Sequence, residues 1–407
     1  MRLTGGGRAA LVLGVLAWGA AFALSSVTAA LVAAAVSLAF AYALATLRPP
    51  RVEVERKVER ARYQEGERVS ETLTLRVVSP RAFSASVEER ASPGLVSPDA
   101  RWRARLRSRE PHVRTLAWEA RTWGAKTLGP LTVVVQDPLH LLELEVVEGV
   151  GQPLRVIPSV HSLGKFRPRA GNPEPALGVH SVSKPGDGFE FFALREYQPG
   201  DNIRRINWKA SARSSSTVVN QVTRDSFARV VLVLDVRDKE ALGEHEASAR
   251  VRSGRAAAAV LGMHDRMKDH LTVLCVGDSP RKLSMAANPR LNDLLNELSE
   301  APLGGMGSLE EAVRQNLTRF RPRSPVYLVT SGVLDSELAR AITLIQALRA
   351  NPILISPAPE GALCADAALD EAAKRSREDA LAKARSLGIR VIDWPAGQSL
   401  EVALAVA

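Results

Sequence analysis

A long uncharged stretch near the start of the chain constrains the fold more than any other feature. No Asp, Glu, Lys or Arg occurs between Ala9 and Leu47. One membrane-spanning helix needs about 20 apolar residues. The stretch therefore predicts two short helices, over about 9–24 and 27–47, joined by a tight turn at Ser25-Ser26.

Basic residues flank this stretch on both sides, while the turn between the helices carries no charge. Arg2 and Arg8 precede it, and Arg48 and Arg51 follow it. The positive-inside rule then predicts a two-helix cell-membrane anchor (residues 1–50) with both ends in the cytoplasm. A cleaved signal peptide followed by a stop-transfer helix is the alternative, and it also leaves the body of the chain in the cytoplasm. The helices contain no ionisable residue, which favours an anchor over a transport path.

Residues 51–158 alternate between polar and apolar side chains. The pattern is clear over 69–78, 101–109, 114–122 and 128–137, with Gly and Pro turn signals between. Short strands at this spacing predict a β-sandwich-like domain.

One of these strands carries a stripe of arginines. Arg101, Arg103, Arg105, Arg107 and Arg109 alternate with apolar side chains and so share one face of the strand. A solvated strand face is one interpretation. Contact with an anion, such as the lipid headgroups beside the anchor, is the other.

From residue 226 to 407, apolar strands alternate with amphipathic helices. This order predicts a doubly wound α/β domain, with a parallel sheet covered on both faces. Ligands bind such sheets at the carboxyl ends of the strands, and the first strand (228–236) ends beside Asp235. Cys275 lies in the apolar run LTVLCVG, where we expect a small core residue.

The charge balance indicates an anionic partner. The chain has 54 Lys and Arg against 44 Asp and Glu, a net charge of +10. Such an excess suits a phosphate, an acidic protein face or a lipid surface. The sequence has no phosphate-binding loop of the GxxxxGK[ST] type, so we do not expect it to hydrolyse ATP. HDRMKDH (264–270) reads as a helix end with solvated charges.

The segment REYQPGDNIRRINWKASAR resembles the signature of the family called domain of unknown function 58 (DUF58). The matching positions are Arg195, Tyr197, Gly200, Asp201, Arg204 or Arg205, Ile206, Trp208, Ala212 and Arg213. The resemblance implies a membrane-anchored protein with a sandwich-like segment, a signature segment (159–225) and a von Willebrand factor A-like domain. It also implies association with MoxR-type AAA+ ATPases and with other membrane or von Willebrand factor A-domain proteins, and it names no reaction.

The von Willebrand factor A fold has a metal site that uses Asp-x-Ser-x-Ser, a Thr and an Asp from three loops. Here Asp235 is present, but Arg237 and Lys239 occupy the serine positions. Ser308 lies near the expected Thr, and Ser331 stands where the acid should be. A divalent cation needs several oxygen ligands, so we expect Asp235 to pair with Arg237 or Lys239 and to hold no metal. No cofactor is expected.

The signature has two physical interpretations. Pro199-Gly200 predicts a type II turn, and Asp201 can accept a hydrogen bond from a nearby backbone N–H. Arg–Asp and Arg–aromatic contacts would make the segment an internal organiser of the fold. Alternatively its Arg and Trp side chains form a docking surface. We therefore expect a non-enzymatic adaptor or assembly factor. A binder of nucleic acid, or of another anionic polymer or lipid surface, is the alternative.

Overall fold

The computed structural model describes residues 1–47, 49–78, 83–107, 110–159, 185–223, 229–243, 246–278, 280–283, 289–301, 303–333, 335–359, 361 and 366–406. Arg48, Arg109, Cys364 and the parts 160–184 and 224–225 of the predicted signature segment lie outside these ranges. The chain divides into two compact units, residues 1–159 with 298–301 and the remainder.

The two predicted apolar helices are present as α1 (Gly5–Leu24) and α2 (Val27–Thr46), and each is long and apolar enough to cross a membrane. Ser25 turns the chain with a φ of 50°, and the Ser26 side chain accepts the Ala29 N–H to begin α2. A close contact between Gly14 and Val36 brings the two helices together.

The rest of the first unit is a two-sheet β-sandwich, as predicted. Its strands are β1 (Arg2–Leu3), β2 (Arg51–Val58), β3 (Arg62–Gln64), β4 (Arg68–Val78), β5 (Phe83–Ala91), β6 (Leu95–Val96), β7 (Arg101–Leu106), β8 (His112–Ala120), β9 (Gly124–Gln136), β10 (Leu142–Glu148) and β11 (Gln152–Ile157). The order β2-β4-β8-β6 forms one sheet, and the other strands form the second. Alternate residues such as Leu73, Leu75, Leu131 and Val133 fill the core between them.

The second unit contains an α/β domain and a separate hairpin. Its elements are β12 (Pro185–Glu196), α3 (Trp208–Ser211), β13 (Val218–Thr223), β14 (Arg229–Asp235), α4 (Ala249–Arg266), β15 (His270–Val276), β16 (Pro280–Leu283), α5 (Leu291–Glu300), α6 (Leu309–Gln315), β17 (Pro325–Val329), α7 (Leu338–Ala347), β18 (Asn351–Pro357), α8 (Ala367–Ser386), β19 (Arg390–Trp394) and α9 (Leu400–Val406).

Six strands form the sheet of the α/β domain, in the order β16-β15-β14-β17-β18-β19. The connections run outward in both directions from β14, which confirms the predicted doubly wound, von Willebrand factor A-like fold. Cys275 is buried in β15, as expected. The five strands predicted for this sheet are parallel, as expected, and β16 is an additional strand at one edge. There β16 pairs antiparallel with β15, because only three residues lie between the two strands and a parallel pair needs a longer crossover.

Candidate functional site

The signature lies on the antiparallel hairpin formed by β12 and β13. Pro199-Gly200 makes the predicted turn: the Asp201 N–H donates to the Gln198 carbonyl at 3.0 Å, and Gly200 has a φ of 106°. Among the described residues beyond its two chain neighbours, no atom lies within 4 Å of where a Gly200 Cβ would stand. The backbone angle alone therefore favours glycine here.

Arg195 and Asp201 hold this turn together. The Arg195 guanidinium donates from Nη1 to Asp201 Oδ2 at 2.8 Å and from Nη2 to Oδ1 at 2.5 Å. The Gln198 N–H donates to Oδ2 at 2.8 Å. The hydrogen bond from Arg195, followed by that from Gln198, keeps the pKa of Asp201 below its usual value. These two signature residues thus organise the segment itself.

Two asparagines, which the sequence reading did not single out, fasten the following residues to the hairpin. Asn202 accepts the Arg204 N–H at 3.0 Å and starts a 3-10 turn over Ile203–Arg205. Asn207 accepts the Ala210 N–H at the start of α3, and its Nδ2 donates to Asn220 of β13 at 2.9 Å. Asn at a cap position was the available sequence signal.

Other signature side chains face solvent. Trp208 is 67% exposed and Ile203 is 66% exposed. Arg204 and Arg213 are also exposed, whereas Arg205 is half-buried and its charge helps to lower the pKa of Asp201. Tyr197 lies at the border of exposure. The structure thus separates a pair that holds the turn from a group of exposed aromatic, aliphatic and basic side chains.

A second candidate site lies where the metal of a von Willebrand factor A domain would be. Arg237 binds Asp235 through Nε at 2.9 Å and Nη2 at 2.7 Å, as expected. It also donates to the Gly307 carbonyl at 3.1 Å and to Asp335 at 3.0 Å. One buried guanidinium therefore joins the same three loops that a metal ion would join.

Lys239 adds a second cation to this cluster. Its ammonium group bonds to Asp335 and lies 3.6 Å from Asp235. Burial acts to raise the pKa of Asp335, but Lys239 and Arg237 outweigh it, so this pKa lies below its usual value. Ser308 donates to Glu337 at 2.9 Å and caps α6.

Glu240 lies fully buried beside these charges. It accepts hydrogen bonds from the Ser331 hydroxyl at 2.8 Å and the Ser331 N–H at 3.0 Å, and Thr330 Oγ1 lies 3.1 Å away. Burial, followed by the negative charge of Asp235, raises the pKa of Glu240 to about 7, against the effects of Lys239 and Ser331. Ser331 is thus a hydrogen-bond donor to Glu240.

The donor set does not fit a divalent cation, because Arg237 and Lys239 already occupy the oxygens of Asp235 and Asp335. Among the residues that the structure describes, no group of three or more His, Cys, Asp or Glu side chains is placed to hold a metal ion. Sequence reasoning missed Asp335 and Glu240. Their only signal was acidic residues soon after the ends of β17 and β14.

The interpretation of HDRMKDH as a helix end with solvated charges is wrong at two residues. His264 and Asp269 are buried, and their side chains lie 2.7 Å apart between Nδ1 and Oδ2. His264 Nε2 lies 3.0 Å from the Tyr327 hydroxyl. The contact with Tyr327 links α4 to β17. Tyr327 is distant in the sequence, so the local pattern around His264 could not predict it.

The sandwich also contains a buried charge cluster. Arg56 donates from Nε and Nη2 to Glu89, at 3.0 and 3.2 Å, and lies 3.6 Å from Glu71. The Trp118 indole N–H donates to Glu71 at 2.8 Å. Burial, followed by the charge of Glu89, raises the pKa of Glu71 to about 7. Because Arg56 and Glu89 belong to different sheets, this pair ties the sandwich together.

Comparison with known proteins finds a family match that includes the signature. Residues 193–356 match the family model "Protein of unknown function DUF58". The chain therefore carries the DUF58 region predicted from its sequence. Uncharacterized proteins of Mycobacterium bovis and Mycobacterium tuberculosis are 27% identical to it over 141 residues. That match covers 33% of this chain and 44% of the length of those relatives.

Solved structures show more distant similarity. The VWA domain of SpRpn10 is 12% identical, with a TM-score of 0.32, over 45% of this chain and 96% of that domain. The RO (RSR) protein of Deinococcus radiodurans is 14% identical, with a TM-score of 0.24, over 39% of this chain and 36% of that protein. Since both TM-scores are below 0.5, the fold assignment rests on the strand order of this chain itself.

Proposed function

We propose that this protein is a membrane-anchored, non-enzymatic adaptor or assembly factor that acts through protein–protein interaction with a MoxR-type AAA+ ATPase. The exposed part of the signature carries the proposal. Arg195 and Asp201 hold the turn, which leaves Trp208, Ile203 and Arg204 in solvent. Trp and Arg are the residue types that dominate binding hot spots.

The α/β domain supports a role without catalysis. At the carboxyl ends of β14 and β17, where ligands bind in such sheets, Asp235 and Asp335 are already bound by Arg237 and Lys239. Glu240 is buried and bonded to Ser331. These acids are engaged within the fold, so a partner that binds the exposed signature is favoured over a substrate at this edge.

Crosslinking and pull-down from membranes, with and without ATP, test the partner. We expect Trp208→Ala and Arg204→Ala to weaken capture of the ATPase by about 30-fold or more each, as for a hot spot of about 2 kcal/mol. Leu369→Ala and Arg375→Ala replace exposed residues of α8 and serve as matched controls. Unchanged capture by folded Trp208 and Arg204 variants would refute the docking role. Tight, salt-sensitive binding of nucleic acid would support the anionic-polymer alternative.

The membrane topology needs its own test. We propose that α1 and α2 span the membrane and that the soluble units lie in the cytoplasm, because Arg2, Arg8 and Arg51 flank the helices. A cysteine introduced at exposed Leu369 is expected to react with an impermeant thiol reagent only after the cells are permeabilised. Labelling of intact cells would show that the orientation is wrong.

A further inference from the structure

Both anchor helices meet the sandwich at the same end. Before α1, strand β1 pairs antiparallel with β10, with Leu3 opposite Leu142. The Thr4 N–H donates to the Leu141 carbonyl at 3.1 Å, and α1 begins at the next residue. After α2, Leu47 packs against the sandwich core, and β2 begins at Arg51.

The first turn of α1 lies directly on the turn between β9 and β10. A Cβ on Gly7 would stand 1.9 Å from the Leu141 carbonyl oxygen, so only glycine allows this approach. The residues between β9 and β10 (137–141) therefore lie level with the beginning of α1. If α1 enters a bilayer there, this turn is at the bilayer surface.

Strand register places further residues at the same end. Arg51 pairs with Val78 at the end of β4. Val135, near the end of β9, pairs with Ala85. Phe83 of the same strand, β5, pairs with Leu106 at the end of β7. We call the set Arg51, Val78, Arg105, Arg107 and Leu139 the anchor-side rim.

The rim combines apolar and basic side chains in solvent. Val78 is 63% exposed and Leu139 is 46% exposed. Arg51, Arg105 and Arg107 are exposed, and Arg107 pairs loosely with exposed Glu110 at 3.7 Å. Exposed aliphatic groups beside arginines suit the boundary between anionic headgroups and acyl chains.

We propose that the anchor-side rim binds the surface of the bilayer that holds the helices, with Leu139 and Val78 at the headgroup level and Arg105 and Arg107 on anionic lipid headgroups. This inference rests on the proposed membrane anchoring. Only the end of the arginine stripe takes part. A strand rises about 3.3 Å per residue, so Arg101 stands about 20 Å farther from the membrane than Arg107. Arg101 also pairs with Glu88 at 2.7 Å.

The depth of the rim is measured on the full chain in lipid nanodiscs. Cys275 is buried, and Cys364→Ser removes the other native thiol. A nitroxide is placed by Leu139→Cys and, as a matched control, by Val150→Cys. Val150 is exposed in the turn after β10, at the opposite end of this strand from Leu142. We expect the label at 139 to be shielded from an aqueous nickel complex and accessible to oxygen, and the label at 150 to show the reverse.

The lipid-charge arm compares two double variants on the same face of β7. In nanodiscs that contain phosphatidylglycerol, Arg105→Gln with Arg107→Gln should lower the shielding at 139, and Arg101→Gln with Arg103→Gln should not. Each arginine near an anionic surface is expected to change, about fivefold, the equilibrium between a sandwich whose rim lies on the bilayer and one whose rim is tilted away from it. In neutral phosphatidylcholine discs the two double variants should behave alike.

Three results would contradict the inference. If the chain stays in the membrane after carbonate extraction but the labels at 139 and 150 are equally accessible to nickel, the rim does not touch lipid and the anchor stands. If carbonate removes the chain from the membrane, both the anchor and the rim contact are refuted. Equal effects of the two double variants would refute the headgroup role of Arg105 and Arg107.

Discussion

Replacing Arg237 with methionine should destabilise the α/β domain more than almost any surface change. The substitution keeps an unbranched side chain but removes bonds to Asp235, Asp335 and the Gly307 carbonyl. Both carboxylates have side chains that are 1% exposed, and of the two cations that pair with both of them, Lys239 would remain. Removing one partner from a buried ion pair costs about 3–5 kcal/mol, mostly because a charge is left unpaired.

Urea unfolding, followed by thiol labelling of Cys275, measures this cost. Cys275 is buried in β15 of the same sheet, so its reactivity reports the opening of this domain, provided that Cys364→Ser is the background. With a slope of about 2 kcal/mol per molar urea, the midpoint should fall by about 1.5–2.5 M. Arg375→Met is the control, because Arg375 makes an exposed pair with Glu371 at 3.1 Å. It should cost under about 1 kcal/mol.

A second substitution separates lost charge balance from lost packing. Adding Asp235→Asn to Arg237→Met removes one of the unpaired charges and should recover part of the stability. If Arg237→Met unfolds at the same urea concentration as Arg375→Met, the guanidinium is not what joins the three loops. If the double variant unfolds at a lower urea concentration than Arg237→Met, unpaired charge is not the main source of the lost stability.

Three further changes test the other contacts. Burial raises the pKa of Glu240 to about 7 from an ordinary 4.5. The folded state therefore holds this proton more tightly than the unfolded chain does. The contribution of Glu240 to stability falls as the pH rises between those two values. Glu240→Gln should flatten that slope in urea midpoints, and an unchanged slope would contradict this assignment. Gly200→Val should lower the stability of the β12–β13 hairpin by about 1–3 kcal/mol, because the residue has a positive φ, and Gly200→Asn should lower it less. Hydrogen exchange of the hairpin measures both losses, and equal protection in the two variants would argue against backbone strain. His264→Phe leaves the Asp269 carboxylate and the Tyr327 hydroxyl without this partner and should cost about 2–4 kcal/mol, and a urea midpoint like that of wild type would exclude a structural role.

Local pattern was enough to predict much of this protein. The uncharged stretch predicts three of the four helix ends to within one residue, because helix length and polarity follow from neighbouring residues alone; α1 begins earlier than predicted, at Gly5. Period-two alternation predicts the sandwich strands for the same reason. Pro199-Gly200 predicts its own turn, since the needed backbone angles belong to those two residues.

Contacts between distant residues depend on the tertiary structure. Arg237 meets Asp335 only because β14 and β17 are neighbours in the sheet and end at the same edge. The sequence by itself determined that two cations replace metal-binding serines after Asp235. Chain topology decided which acids surround them, just as it decided that β1 pairs with β10 and brings the anchor to one end of the sandwich. Such partners are chosen by the packing of elements that are far apart in the chain, and no local pattern encodes that choice.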